Sequence, residues 1–324
     1  NFSDELAVGV AIQVLDRNGQ IIGEPVWTTI EAHSTTQILK IAEKAGILTD
    51  LDIFSLYVYL NDHAVSASAS VVDNATGDPV YLEAVDKAGP VFWVPGLARL
   101  DGANDSVWRS DITFFNTTLD WVSTRVEYHS PENAQIGFTP VMLLDVASGN
   151  AAYFADVLGS SMLPAGVQSK GYFVVSSRDG SDLPQIVAKT YNVDDFGGTY
   201  GQNLQIYSNA DLISAGDSGF ITGVTNSADP TEGFRTNVAV LNTSDSETAS
   251  VEILIYDPAG QVAGAIPIPV LGPGVMIQGN VFDFAGLGGV EMDGTVEIRV
   301  LSGGPVAAYA SQIDNRTQDP ILIP

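Results

Sequence analysis

Apolar and polar residues alternate over short runs along most of this chain. SVEILIYD (Ser250 to Asp257), TVEIRVL (Thr295 to Leu301) and VAAYASQI (Val306 to Ile313) place apolar side chains at about every second position, the period of a half-buried β-strand. TRVEY, GYFVVSS and FSLYVYL read the same way further upstream. Between such runs lie DRNG, DPAG, LSGGP, SRDGS and LNDH, rich in the residues that tight turns need. Short strands spaced by roughly 8–12 residues predict an all-β sandwich or barrel. Two stretches break the pattern. STTQILKIAEKAGI (Ser34 to Ile47) has a Ser/Thr start, apolar Ile38, Ile41 and Ala42, and Gly46 as a stop, which predicts a helix. GNAAYFADVLG (Gly149 to Gly159) is expected to be its counterpart, whereas QGNVFDFAGLGG (Gln278 to Gly289) holds too much glycine for more than a turn or two.

The pattern is also written more than once. ASVVDNATGDPVYL (Ala69 to Leu82) returns as ASQIDNRTQDPILI (Ala310 to Ile323), with Asp73 over Asp314 at an offset of 241. VLDRNGQ (Val14 to Gln20) lies over IYDPAGQ (Ile255 to Gln261), and AEKAGI (Ala42 to Ile47) over FDFAGL (Phe282 to Leu287). A middle copy carries VWRSDITFFNTTLD (Val107 to Asp120) against GFRTNVAVLNTSDS (Gly233 to Ser246), with Arg109 over Arg235 at an offset of 126. The connector AGPVFWVPG from Ala88 resembles AGDSGFITG from Ala215, while the middle tail has drifted to TYNVDDFGGTYGQNLQI (Thr190 to Ile206). A unit of about 120 residues, in nearly three copies, is the signature of a tandem array. The expected architecture is a series of about three Ig-like β-sandwich modules, each with one short helix, over residues 1–84, 85–210 and 211–324. Asn1 corresponds to Asn242, so the first copy lacks the connector strand and the [WF]R[ST][DN] strand that open the other two. A sandwich without them has an open groove and an unpaired edge. Residues upstream of Asn1 would fill it, or a neighbouring subunit would donate a strand and link chains head to tail.

Bulk composition narrows the partners. The chain has 324 residues, 45% hydrophobic and 16% charged, which excludes a disordered protein. Thirteen basic against 39 acidic residues leave a formal charge of -26. That field repels nucleic acid and anionic membrane surfaces and leaves calcium, cationic polymers and neutral glycans as compatible partners. There is no cysteine, hence no disulfide, thiolate metal site or cysteine nucleophile. No apolar run reaches the ~18 residues of a membrane span, so no membrane insertion is expected. The start NFSDELAVGV shows no signal-peptide core, which reads as a cytosolic chain or one whose leader or longer N-terminal part is gone.

Candidate chemistry is sparse. GDSG (Gly216 to Gly219) resembles a serine-protease nucleophile loop, but that site needs a histidine base and a buried aspartate. The three histidines, His33, His63 and His129, sit in no recognisable base motif, and the equivalent connector AGPVFW has no serine. Scattered histidines also argue against zinc. Oxygen ligands at alternate positions suit calcium: Asp73, Asn74, Thr76 and Asp78 in one loop, and Asp314, Asn315, Thr317 and Asp319 in the other. Asx-turn chemistry explains the same residue types without a metal. No pair among the 39 acids is marked for glycoside hydrolysis. Trp93, Trp108, Trp121 and Tyr128 cluster in the second copy, as core side chains or as a sugar-stacking platform. N-x-[ST] occurs at Asn1, Asn74, Asn104, Asn116, Asn242 and Asn315, each a candidate glycan acceptor or an Asx turn.

GFRTNVAVLN, SVEILIYDPAGQ, VFDFAGL and VAAYASQIDNRTQDP together resemble a repeated β-sandwich module of large secreted and surface proteins of environmental bacteria, and TYNVDDFGGTYGQ resembles a tail variant in such arrays. The resemblance spans the whole chain and is strongest in the third copy. It implies an extracellular or cell-surface setting and carries over no catalytic residues. The expected function is that of a non-enzymatic structural protein without cofactor, self-associating into a filament, surface layer or adhesive stalk. Carbohydrate-binding modules of a larger secreted enzyme are the alternative.

Overall fold

A computed structural model describes residues 1, 7–51, 54–60, 65–84, 87–102, 106–131, 133, 137–193, 196–272 and 274–323. The first part of the chain forms β1 (Val8–Asp16), β2 (Ile21–Ile30), β3 (Phe54–Leu60), β4 (Ser68–Val72) and β5 (Pro79–Glu83). The next forms β6 (Val91–Asp101), β7 (Val107–Phe115), β8 (Val122–His129), β9 (Val141–Val146), β10 (Ala151–Phe154), β11 (Ser169–Ser177), β12 (Gln185–Val193) and β13 (Thr199–Asn203). The last forms β14 (Ser218–Asn226), β15 (Phe234–Asn242), β16 (Ala249–Tyr256), β17 (Val262–Val270), β18 (Gly274–Asn280), β19 (Met292–Ser302), β20 (Val306–Asp314) and β21 (Pro320–Ile323). Among the described residues two single-turn helices, α1 (Ile41–Lys44) and α2 (Val281–Phe284), interrupt them. The protein is all-β, in several antiparallel sheets that pack as β-sandwiches do.

The last part shows how alternation makes the core. Its two four-stranded sheets have the orders β14-β19-β16-β17 and β18-β15-β20-β21. Val251, Ile253 and Ile255 of β16 and Val296, Ile298 and Val300 of β19 face Val238 and Val240 of β15 and Val306 and Ala310 of β20, and all are fully buried. Each is every second residue of its strand, so the pleat points them to one side while their neighbours face out. The middle part repeats the same order, β6-β11-β8-β9 and β10-β7-β12-β13, with β6 bending across to pair with β7 at Leu100↔Trp108. Larger side chains fill its core, including Phe92, Phe114, Tyr128, Phe173 and Leu158.

The first part is reduced. β2-β1-β3 form one sheet and β4-β5 another, matching β17-β16-β19 and β20-β21. Among the described residues no strand stands where β14, β15 and β18 would. Its buried cluster is correspondingly small: Val8, Val10 and Ile30, with Ile12, Val58 and Val65 packed alongside.

The helix expectations need correction. Helix in the Ser34–Ile47 stretch is confined to α1, which ends at the expected Gly46 with φ 78. In the second copy Ala151–Phe154 is strand β10, paired with β7, and only Leu158–Met162 coils, as a π-helical turn. The free edge of β7 decides this: four backbone groups gain ladder partners there that a short isolated helix cannot supply. β18 does the same against β15. In the first copy no such partner stands among the described residues, and residues 31–40 belong to neither helix nor strand.

Candidate functional site

The recurring [WF]R[ST][DN] residues occupy fixed structural posts. Ser110 is fully buried; its hydroxyl accepts from the Ala98 amide at 2.8 Å and meets the Thr190 hydroxyl at 2.7 Å, tying β7 to β6 and β12. Thr236 serves β15 identically, donating to the Thr225 carbonyl at 2.8 Å and accepting from its amide at 3.2 Å. Asp111, also buried, accepts from the hydroxyls of Tyr153 (2.8 Å) and Tyr191 (2.9 Å) and the Asp156 amide (2.9 Å), with Lys189 at 3.3 Å. Four polar groups converging on one buried carboxylate satisfy it; no substrate is needed to explain it. Arg235 reaches the aspartate corner of its own copy, donating to Asn315 Oδ1 at 2.8 Å and Gln318 Oε1 at 2.9 Å.

Those corners are the strongest candidates for chemistry. In the first, Asp73 Oδ1 accepts from the amides of Ala75 (2.8 Å) and Thr76 (3.0 Å), and Oδ2 from the Thr199 hydroxyl at 2.9 Å. The Thr76 amide bond leads in holding Asp73 below the usual carboxylate range. Asp78 Oδ2 accepts from the Gly201 amide at 2.7 Å, and burial pushes its carboxyl up. In the last corner Asp314 Oδ1 accepts from the amides of Arg316 (2.8 Å) and Thr317 (2.9 Å), while Asn315 Nδ2 donates to the Glu232 carbonyl at 3.0 Å. Asn74 is exposed. Asp73 and Asp314 thus each turn Oδ1 onto backbone N–H groups of an Asx turn, and no group of three or more His, Cys, Asp or Glu able to hold a metal occurs among the described residues. One carboxylate differs. Asp319 Oδ1 is buried without a hydrogen-bond partner, and burial first, then Asp78 and Asp314 nearby, push its carboxyl up to about 6.

The sequons divide by placement. Asn116 and Asn242 are fully buried at the ends of β7 and β15. Asn116 Nδ2 donates to the Val146 carbonyl at 2.8 Å and the Asp120 carbonyl at 2.7 Å; Asn242 Nδ2 donates to Val270 at 2.9 Å and Glu247 at 2.7 Å. Asn1 Nδ2 donates to the Ile30 carbonyl, at the equivalent position, at 2.8 Å. Attaching a glycan at these nitrogens would break the bonds that close each sandwich, so turn chemistry accounts for Asn1, Asn116, Asn242 and the buried Asn315. Asn74 alone of the described sequons is an exposed side chain; Asn104 and His63 lie outside the described residues.

Sequence reasoning missed the joints between copies. Trp93, Tyr172, Tyr207, Leu241 and Ala307 form a buried cluster from the second and third parts of the chain, with Val174 packed against it. Tyr207 donates to the Ala308 carbonyl at 2.7 Å. Tyr57 meets Phe115 edge-on at 6.4 Å, and strand register makes this pair equivalent to Val174 and Leu241. The same joint therefore occurs twice, with last strands in step: Thr199 and Gly201 of β13 contact the first corner, and Ser311 of β20 donates to Gln202 of β13 at 2.9 Å. Trp93 is held in the joint and matches Phe220 in register; Tyr128 is fully buried and Trp108 half-buried. Trp121 is 67% exposed, so packing does not explain it.

Elsewhere chemistry does not assemble. Ser218 of GDSG donates to Glu297 at 2.7 Å, not to a histidine. His129 stacks on Tyr172 with ring centroids 5.1 Å apart, and burial lowers its pKa against the pull of Glu127. Among the described residues no helix is long and apolar enough to cross a membrane. The chain matches no model of a known protein family and no sequence among the curated proteins.

Proposed function

We propose that the chain is a non-enzymatic extracellular structural protein, a tandem array of three Ig-like sandwich modules over residues 1–84, 85–210 and 211–324. The modules stack face to face and self-associate into a homopolymer, as a filament, surface layer or adhesive stalk. One observation carries this reading: the joint formed by Tyr57 and Phe115 is formed again by Val174 and Leu241, so one packing operation relates successive modules. A joint that repeats without closing builds a rod. The net charge of -26 keeps such rods apart in solution. The open edge of the first module supplies a point for strand donation between chains. Electron microscopy and sedimentation of concentrated protein are expected to show rods growing into ordered polymers; dispersed monomers at every concentration would sink the assembly.

A second reading, neutral-carbohydrate binding, rests on a shallow uncharged groove of about 400 Å³ on the outer face of β1, β2 and β3. Trp27 and Tyr59 flank a floor of Gly9 and Ala11, with Gln13 as a polar group. A glycan-array signal that Trp27→Ala abolishes would favour it.

A further inference from the structure

The outer face of the first copy departs from that of its sisters at three positions in register. Ala11 of β1 stands opposite Trp27 of β2 on one side and Tyr59 of β3 on the other. In the second copy the same three positions hold Arg125, Leu143 and Ser176, and in the third Glu252, Pro267 and Arg299. The sister faces carry paired charges: Arg125 reaches Glu127 at 2.6 Å, and Arg299 reaches Glu252 at 3.2 Å. The repeat therefore folds without an aromatic pair at these positions. Yet in the first copy Trp27 is 75% exposed and Tyr59 47%. Two large rings held in solvent side by side mark a binding surface rather than a core.

Between the rings lies the shallow groove of about 400 Å³, floored by Gly9 and Ala11, with Gln13 next along β1. Trp27 and Tyr59 sit two strand spacings apart, about 10 Å, which leaves a slot one sugar ring wide. The small floor keeps the slot open; the arginine that stands in place of Ala11 in the second copy would fill it. No lining residue is charged, on a chain of net charge -26. The Tyr59 wall is braced from the second copy. One of its faces stacks on Tyr57, with ring centroids 4.8 Å apart and planes at 28°, and Tyr57 meets Phe115 of β7 edge-on at 6.4 Å. Leu241 takes the place of Phe115 in the second joint, so docking of one copy on the next does not itself require a ring there.

We propose that this groove holds an extended, neutral β-1,4-linked glucan along β1, with one sugar ring stacked on Trp27 and with Phe115 of the second copy as a positioning residue that sets the Tyr59 wall. This rests on the carbohydrate reading of the groove and adds to it the ligand class and a coupling across the joint. A β-linked glucose ring carries its hydroxyls equatorially, so both of its faces present C–H groups to an indole. The β-1,4 linkage keeps the chain straight and flat, as a shallow groove along one strand requires. Its hydroxyls lie around the ring edge, where the Gln13 amide has both donors and an acceptor to offer. A neutral chain buries no ion against uncharged side chains, whereas an anionic glycan meets the repulsive field of the whole protein. Because Phe115 acts through Tyr57 and Tyr59, glucan binding and docking of the second copy on the first favour each other.

Isothermal titration of the full chain with cellotetraose tests this. Binding is expected, insensitive to salt, with none of maltotetraose, whose α-linkage coils the chain, or of the anionic tetragalacturonate. Trp27→Ala is expected to weaken binding about tenfold and Ala11→Arg to abolish it, while Leu143→Ala, at the matching position of the second copy, changes nothing. Phe115→Leu, which installs the residue of the second joint, is expected to weaken binding about fivefold, and Phe115→Tyr, which keeps the ring, to restore it. Thermal melts check that each variant stays folded; the exposed Trp27 makes its substitution the safest of them. Cellotetraose binding that Trp27→Ala weakens and Phe115→Leu does not overturns the inference. So does Trp27-dependent binding of a different neutral glycan with none of cellotetraose; both results leave the carbohydrate reading standing. No Trp27-dependent signal from any glycan on an array removes the reading and the inference together. Trp27-dependent self-association of the unliganded chain in sedimentation makes a second copy the occupant and also overturns it.

Discussion

Asn116 and Asn242 illustrate how one side chain can anchor a fold. Each is fully buried and turns both amide hydrogens onto backbone carbonyls. Asn242→Ala is expected to cost about 2 kcal/mol in chemical denaturation, since the buried Val270 carbonyl and the Glu247 carbonyl both lose their donor. Peptide mass spectrometry of native protein should find Asn116 and Asn242 without glycan. Asp319 makes an opposite contribution. Its folded value of about 6 stands above that of an ordinary carboxylate, so between about pH 4 and 6 the native state holds a proton that the unfolded chain has released. The stability this confers is complete below that window and lost as pH rises through about 6. Asp319→Asn is expected to flatten that dependence and to stabilise the protein at pH 8 by about 1 kcal/mol. The full shift corresponds to about 3 kcal/mol, but the half-exposed site is screened. Denaturation midpoints from pH 4 to 8 check it. These residue types were visible as sequons and as a calcium-like loop; their directions were not. Asp73 points at amides, and only its neighbours in space show that.

At the scale of elements, strands were legible because alternation is a local property of the chain. SVEILIYD, TVEIRVL and VAAYASQI became β16, β19 and β20 with their apolar faces inward. The glycine stop at Gly46 was equally local: φ 78 suits glycine, and Gly286 repeats it at φ 77. Nothing lies within 4 Å of a Cβ built at either, so Gly286→Ala should cost only backbone strain, about 1 kcal/mol, measurable as a lowered unfolding midpoint without altered structure. The residues before α1 misled for a non-local reason. Ile38 falls into helical spacing with Ile41 and Ala42, which do form α1, yet its third-copy equivalent Gln278 pairs with Val238 of β15. A partner's edge outweighs the weak propensity of a short segment. Where the partner is missing, neither outcome occurs.

For the whole molecule, the joints decide behaviour. Trp93, Tyr172, Tyr207, Leu241 and Ala307 are at most 8% exposed, which couples the second and third parts of the chain into one body. Tyr207→Ala removes an aromatic ring and the hydrogen bond to Ala308, and is expected to split one calorimetric unfolding transition into two. The third copy's matching face differs. Glu297 stands where Val174 does in the joint, bonded to Tyr256 at 2.6 Å and to Arg299 at 3.1 Å.

From the order of residues alone came the β class and the recurrence of its strand pattern, because alternation, turn chemistry and self-similarity are all written along the chain. The joints, the carboxylate directions and the fate of residues 31–40 came only with the tertiary structure. Each depends on which strand lies beside which, and strands distant in sequence become neighbours only when their apolar faces close on one another.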